Sequence, residues 1–216
     1  MAPDALHPSI RKSAHNVLLG PLRTTVHRDL ERIQDEAVLR RVLLRLLQSG
    51  LPKYAQVRHG PFEYGKDVAA LVDDGGTPVL RLYQAKIGEV KKTSWPQCRD
   101  QIEEMFLVPV PKLQLPVTPA RIEAFLVTNG HASPHVEPIT DAWIDVQRAT
   151  LGRHVEFMHI DRLAEWIVKA RLITELRAAL AEHSAKRGAK HAGRKKRKAM
   201  RPNSSAKRSA KAKRMR

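Results

Sequence analysis

Residues 65–86, GKDVAALVDDGGTPVLRLYQAK, read as two β-strands folded back on one another. Val68–Val72 and Val79–Gln84 are apolar and partly β-branched, the composition of strands buried in a central sheet. Between them, Asp73-Asp74-Gly75-Gly76-Thr77-Pro78 carries the turn chemistry of a tight hairpin. Side chains alternate faces along a strand, so Gln84 and Lys86 point one way and Ala85 the other. Folding back sets Asp67, which opens the first strand, about 4.8 Å across from the Gln84–Lys86 end of the second. A carboxylate, an amide oxygen and an ammonium group then converge. Singly, each has a plainer use, as a turn residue or an edge-strand polar group. Together, a glutamine and a lysine on one face at the end of an otherwise apolar strand need partners.

The flanking sequence supplies elements to cover this hairpin. Upstream, residues 26–49 predict one helix, with Leu30, Ile33, Ala37, Val38, Leu44 and Leu47 at three- and four-residue steps, stopped by Gly50 and Pro52. Glu31, Asp35 and Glu36 lie in its first half, where acids favour the helix dipole. A short strand is expected over Tyr54–His59. Residues 1–25 are broken by Pro3, Pro8, Gly20 and Pro21 and predict an extension with a short helix near Ser13–Leu19. Downstream, Ser94 as N-cap with Pro96 in the first turn predicts a helix to about Phe106. Four prolines make residues 107–119 a loop. A strand over 122–128, a helix over 136–150, a strand over 155–160 and a final helix capped by Asp161 and running to about His183 complete the pattern. The later half alternates strand and helix, so its strands are expected to pair in parallel. The fold class is α/β: a mixed central sheet flanked by helices.

Charge divides the chain differently. Residues 184–216 hold 15 Lys or Arg and no Asp or Glu, out of a net charge of +17 for the whole chain. Residues 1–183 therefore carry only +2. The expected organisation is an N-terminal extension (1–25), a globular domain (26–183) and a basic tail (184–216). The tail has almost no large apolar residue, cannot offset its ordering entropy by burial, and is expected to be disordered. Its use is electrostatic. Arg194, Lys195, Lys196, Arg197 and Lys198 form its densest run and point to nucleic acid through counterion release. No amphipathic apolar face accompanies the charge, which disfavours a membrane surface. One cysteine, Cys98, excludes an intramolecular disulfide and argues against a thiolate zinc site. Ten histidines are scattered, none at a familiar metal-binding spacing, and His131 and His135 read as surface groups that contact phosphate at most. No apolar run approaches the roughly 20 residues of a membrane helix, and no long apolar leader core is seen, so the expected location is cytoplasmic, beside the nucleoid.

The hairpin site suits a hard divalent cation, which takes oxygen ligands. Asp67 and Gln84 supply side-chain oxygens, and the Ala85 carbonyl can point between them. Glu36, on the helix expected to pack beside the hairpin, supplies further negative charge. Lys86 is placed to hold a phosphate or to orient an attacking water. The ordered pattern of Glu36, Gly65-x-Asp67 and Gln84-x-Lys86 resembles the PD-(D/E)XK nuclease superfamily, and within it the Mrr-like restriction endonucleases, which use Gln in the x-Lys motif. Phe125-Leu126-Val127-Thr128-Asn129-Gly130 resembles the strand and turn after the catalytic helix in that group. The likeness covers roughly residues 26–170. The Gly65-Lys66-Asp67 turn lacks the doubled-glycine acidic form common there, and the 107–119 loop is longer.

The resemblance implies an αβββαβ restriction-endonuclease-like core and a Mg²⁺- or Mn²⁺-dependent DNA endonuclease of the genome-defence type. It implies Asp67 as metal ligand, Gln84 as ligand or its support, Lys86 as catalytic lysine and Glu36 as the helix carboxylate. Lys66, Lys91 and Lys92 flank this site and are candidate DNA contacts. Cutting both strands commonly needs two active sites, which raises a homodimer as an expectation. Two other functions fit the same residues: a non-catalytic DNA-binding module on this fold, and an interaction protein recruited to RNA by its tail.

Overall fold

The hairpin forms around a loop shorter than the sequence suggests. Strand β2 (Val68–Asp74) pairs antiparallel with β3 (Thr77–Lys86), Asp74 opposite Thr77, leaving only Gly75 and Gly76 in the loop. Both glycines have positive φ, 58° and 87°, which a two-residue hairpin loop following the strand twist requires. Asp73 Oδ1 accepts the Gly76 N–H at 2.6 Å and closes the turn. The computed structural model describes residues 8–49, 54–57, 67–107 and 113–185, with side chains described from residue 20 onward.

The hairpin sits in a five-stranded sheet of order β1-β2-β3-β4-β5, where β1 is Tyr54–Val57, β4 is Arg121–Thr128 and β5 is His154–Met158. β1 and β2 are antiparallel, while β3–β4 and β4–β5 are parallel, as the strand–helix alternation predicts. The helices are α1 (Pro8–Glu31), α2 (Glu36–Ser49), α3 (Trp95–Phe106), α4 (Glu137–Leu151) and α5 (Ile160–Lys169). From α2 to β4 the order is the expected αβββαβ core. The described residues up to 179 form one compact unit, and the described residues 180–185, which are helical, belong to a second.

On one sheet face, Ala69, Leu80, Leu82, Ala124, Leu126 and Val155 pack against Trp95, Cys98, Ile102 and Met105 of α3. Leu80, Leu82, Ile102, Met105 and Leu126 are fully buried, each contributing roughly 1.5–3 kcal/mol of transfer free energy. Trp95 meets Trp143 of α4 edge-on at 5.7 Å. Across the sheet, Leu43 and Leu47 of α2 share a cavity of about 610 Å³ with Tyr83, Phe125 and Trp166.

Five local expectations are corrected. The single helix over 26–49 is two helices: α1 ends at Glu31, and α2 starts at Glu36 after a turn in which Asp35 accepts the Ala37 N–H at 2.7 Å. Residues 13–19 belong to the 24-residue α1, which runs through residue 25 without interruption, rather than to a short helix. Ser94 stands at the start of α3, but its hydroxyl bonds back to Lys91 rather than to the helix N–H groups. The final helix is broken: α5 ends at Lys169, Arg171 adopts φ 59°, and helix resumes over 173–185. His159, not Asp161, is the N-cap residue of α5. The expected strand over 54–59 is described only to Val57, and residues 108–112 of the proline-rich loop, like the basic tail beyond 185, lie outside the described residues.

Candidate active site

Asp67 is the residue before β2, and its backbone N–H donates to the Tyr83 carbonyl at 2.8 Å. Its carboxylate turns to the neighbouring strand, where Oδ2 accepts the Ala85 N–H at 2.8 Å. That N–H belongs to the peptide joining Gln84 to Ala85, so the acid lies against the backbone between the glutamine and the lysine. Asp67 and Gln84 are both buried, at 3% and 5% exposure. Lys86 ends β3 opposite Thr128 and is half-buried. Gln84 and Lys86 continue the row of Leu80 and Leu82, whose face packs on α3.

Glu36 opens α2, half-buried. The buried Cys98 thiol on α3 reports on its position. Burial pushes the thiol pKa up, the Lys86 ammonium pulls it down, and the Glu36 carboxylate pushes it up again. Glu36 and Lys86 therefore both lie within electrostatic reach of one α3 residue.

The sequence reading missed Arg40. Its guanidinium donates to Asp67 Oδ1 at 2.7 Å, and the pair is largely buried. One signal pointed to it: Arg40 lies four residues after Glu36, so both occupy one helix face. Asn129 was noticed only as part of a turn, yet its amide ties three elements together. Oδ1 accepts the Gly88 N–H at 2.8 Å, while Nδ2 donates to the carbonyls of Leu30 (3.1 Å) and Ile33 (2.7 Å). The turn that precedes Glu36 is thereby fixed to the exits of β3 and β4. Thr128 Oγ1 adds a bond to the Gly88 carbonyl at 2.6 Å. Gly130 is pressed so close to Gly88 that a Cβ there would lie 2.3 Å from the Gly88 carbonyl carbon.

Lys91 and Lys92 are exposed just beyond β3. Lys66 and residues 194–198 lie outside the described residues. Asp67, Gln84 and Glu36 offer only oxygen donors, the set a hard cation takes. Each oxygen of a carboxylate accepts twice, so the two bonds to Asp67 leave it room for a further partner.

No family model matches the chain, and no curated protein matches it. Among solved structures, the chain is similar to MspJI restriction endonuclease in complex with a 27-mer oligonucleotide. Identity is 17% and the TM-score 0.40, over 84% of this chain and 39% of that one. The chain thus spans about two fifths of the length of the protein it matches.

Proposed function

We propose that this chain is a divalent-metal-dependent DNA endonuclease of the PD-(D/E)XK type, in its Mrr-like Gln-x-Lys form. The supporting observation is the Asp67 carboxylate held on the Ala85 amide, between Gln84 and Lys86. A residue's N–H and C=O leave a strand on the same side, so the Ala85 carbonyl is directed toward Asp67 as well. Asp67, the Gln84 amide oxygen, the Ala85 carbonyl and Glu36 are the residues that would hold Mg²⁺ or Mn²⁺. When bound, the cation lowers the pKa of a coordinated water and offsets charge growing on the phosphate.

The chain's own groups do the rest. Lys86 binds the scissile phosphate or orients the attacking water, with its ammonium stabilising the developing negative charge. Gln84, buried and on the same face as Lys86, serves as a ligand to the cation or supports one. Lys91 and Lys92 contact the DNA backbone, and the tail adds affinity without reading sequence. A homodimer placing two such sites on opposite strands would give double-strand cleavage.

A supercoiled-plasmid assay with Mg²⁺ or Mn²⁺ tests this. Wild type should nick or cut, while Asp67→Ala and Lys86→Ala, verified as folded by circular dichroism, should not. If both variants cut like wild type, the site is wrong. One observation favours a second reading, a non-catalytic DNA-binding module: the Arg40 guanidinium already neutralises Asp67. Metal-indifferent DNA binding with no cleavage of any DNA form would select it.

A further inference from the structure

Away from Asp67, a different set of donors meets where α1, the β4–α4 loop and the start of α5 come together. His27 Nε2 lies 3.9 Å from Asp161 Oδ1, and His131 Nδ1 lies 3.7 Å from Asp161 Oδ2. One donor atom from each of His27, His131 and Asp161 can be chosen so that all three lie within 4.8 Å of one another. The other nitrogen of His27, Nδ1, lies 3.5 Å from the Glu31 carboxylate. That is how a ligating histidine is usually held, one nitrogen on an outer carboxylate and the other free to face a metal.

His159 provides an independent observation. Its Nδ1 is 3.7 Å from the same Asp161 Oδ2, is shut off from solvent, and has no hydrogen-bond partner. Its ring lies 5.5 Å from that of His131. A buried ring nitrogen left unbonded beside a carboxylate calls for a ligand.

We propose that His27, His131 and Asp161 form a structural site for a first-row transition ion of the Zn²⁺ class, with His159 or a water as fourth ligand. Two or three imidazoles with one carboxylate suit Zn²⁺ and exclude Mg²⁺ as the preferred occupant. Tetrahedral Zn²⁺ with bonds of about 2.0–2.1 Å sets its donors roughly 3.3 Å apart. The observed separations need the side chains to close in by an ångström or so. His27, His131 and Asp161 are 28%, 54% and 35% exposed, which leaves them room to do so. Arg23, now 3.0 Å from Asp161 Oδ1, is itself 47% exposed and yields that oxygen by swinging into solvent. Arg162 and Glu137 also act electrostatically on His159. The ion would pin α1 to the exits of β4 and β5. This site is independent of the nuclease reading.

Calorimetric titration of the metal-stripped full chain with Zn²⁺ tests the assignment, paired with a Co²⁺ absorption spectrum and thermal melts. With Mg²⁺ in excess to occupy the oxygen ligands at Asp67, one Zn²⁺ per chain should bind and raise the melting temperature, and Co²⁺ in its place should give a tetrahedral spectrum. His27→Gln and His131→Gln should each weaken that binding at least tenfold and abolish the thermal gain. His135→Gln, on the same loop but outside the cluster, should leave both intact. Absence of Zn²⁺ binding at micromolar concentration, or binding unchanged in the His27→Gln/His131→Gln double variant, overturns the proposal. X-ray absorption of the Zn²⁺-loaded wild type decides the matter even if the variants misfold. A shell with two or three imidazoles supports the site, and an all-oxygen or sulfur-containing shell refutes it.

Discussion

Arg40→Gln is the substitution that probes the acid at the centre of the site. In the present structure the guanidinium contacts Asp67 Oδ1 at 2.7 Å, with side-chain exposures of 21% for Arg40 and 4% for Asp67. Unit charges about 4 Å apart attract by roughly 4 kcal/mol at an effective dielectric of 20, before desolvation is subtracted. Breaking a fully buried pair costs about 3–5 kcal/mol, because the remaining charge is stranded. Arg40 reaches solvent and Asp67 keeps the Ala85 N–H, so the expected loss without metal is nearer 2 kcal/mol. For a chain of this size that lowers the melting temperature by roughly 4–8 °C. A divalent cation reverses the sign. Arg40 competes with it for Asp67, so the variant should bind Mn²⁺ about tenfold tighter, equivalent to 1.4 kcal/mol. Mg²⁺ should then raise the variant's melting temperature more than it raises that of wild type. Melts with and without Mg²⁺, and Mn²⁺ titrations followed by electron paramagnetic resonance, read both effects. If Arg40→Gln binds Mn²⁺ no better than wild type while Asp67→Asn abolishes binding, Arg40 does not compete with metal and the reasoning fails.

Gly130→Ala should destabilise the fold by roughly 3 kcal/mol, since its Cβ would meet Gly88 C at 2.3 Å, Gly88 O at 2.4 Å and Glu89 N at 2.8 Å, all backbone atoms unable to rotate away. Gly20→Ala, with open space around its Cβ, is the control, and equal urea midpoints for the two variants would refute the contact. Glu123 gives a pH prediction. Burial pushes its pKa up, but hydrogen bonds from Arg81 (2.8 Å) and Arg121 (3.0 Å) outweigh burial and hold it below the ordinary 4.5. The unfolded chain therefore takes up this proton first on acidification. The stabilisation is complete above about pH 4.5 and is lost as pH falls through the folded value, so Glu123→Gln should flatten the acid limb of a urea-midpoint profile between pH 6 and 3. Deleting residues 184–216 should weaken DNA binding and reduce its slope against log salt, yet leave metal-dependent cleavage detectable. Complete loss of DNA association on truncation would instead support an adaptor recruited by its tail.

The hairpin and the parallel half were legible because their signals are local. Gly75-Gly76 permits few backbones, and an apolar strand ending in Gln84-x-Lys86 breaks its own pattern at the point of interest. The division between α1 and α2 was hidden for a physical reason. Ile33 sits in the turn yet is 2% exposed, so the apolar spacing from Leu30 through Val38 persists across a stretch that is not helical. The same concealment recurs after α5, where Leu172 and Leu176 remain buried beyond the break and Arg171 takes a left-handed backbone with no glycine to announce it. Asp161 looked like a cap because it begins an apolar helix, but its carboxylate is drawn to Arg23 and three histidines. His27 lies more than 100 residues before His131 and His159, so sequence spacing could not associate them.

The break before α2 also explains how the helix carboxylate comes to stand near the strands. Were residues 26–49 a single helix, Glu36 would lie in its middle, with its height above the sheet set by whatever packed on either side. Instead Asp35 caps a new helix, and the turn before it is held by both amide protons of Asn129. The same Asn129 accepts the Gly88 N–H just past Lys86, so one side chain fixes the origin of α2 relative to the end of β3. Glu36 at the first position of α2 and Lys86 at the last position of β3 are thus referenced to a common anchor, while Arg40, one turn further along α2, lands on Asp67. Asn129→Ala would leave the Ile33 carbonyl and the Gly88 N–H without this buried partner, at about 1–3 kcal/mol for each group left unsatisfied, while the Leu30 carbonyl keeps the Ile33 N–H at 3.0 Å. Asn129→Asp is the sharper test. It keeps the acceptor for Gly88 but replaces the two donors with a carboxylate oxygen facing two carbonyls. If Asn129 anchors the site, that variant should lose metal affinity at Asp67 by a larger factor than its loss of stability alone accounts for. A loss of stability with metal affinity unchanged in the folded fraction would show that the turn and the site are positioned independently.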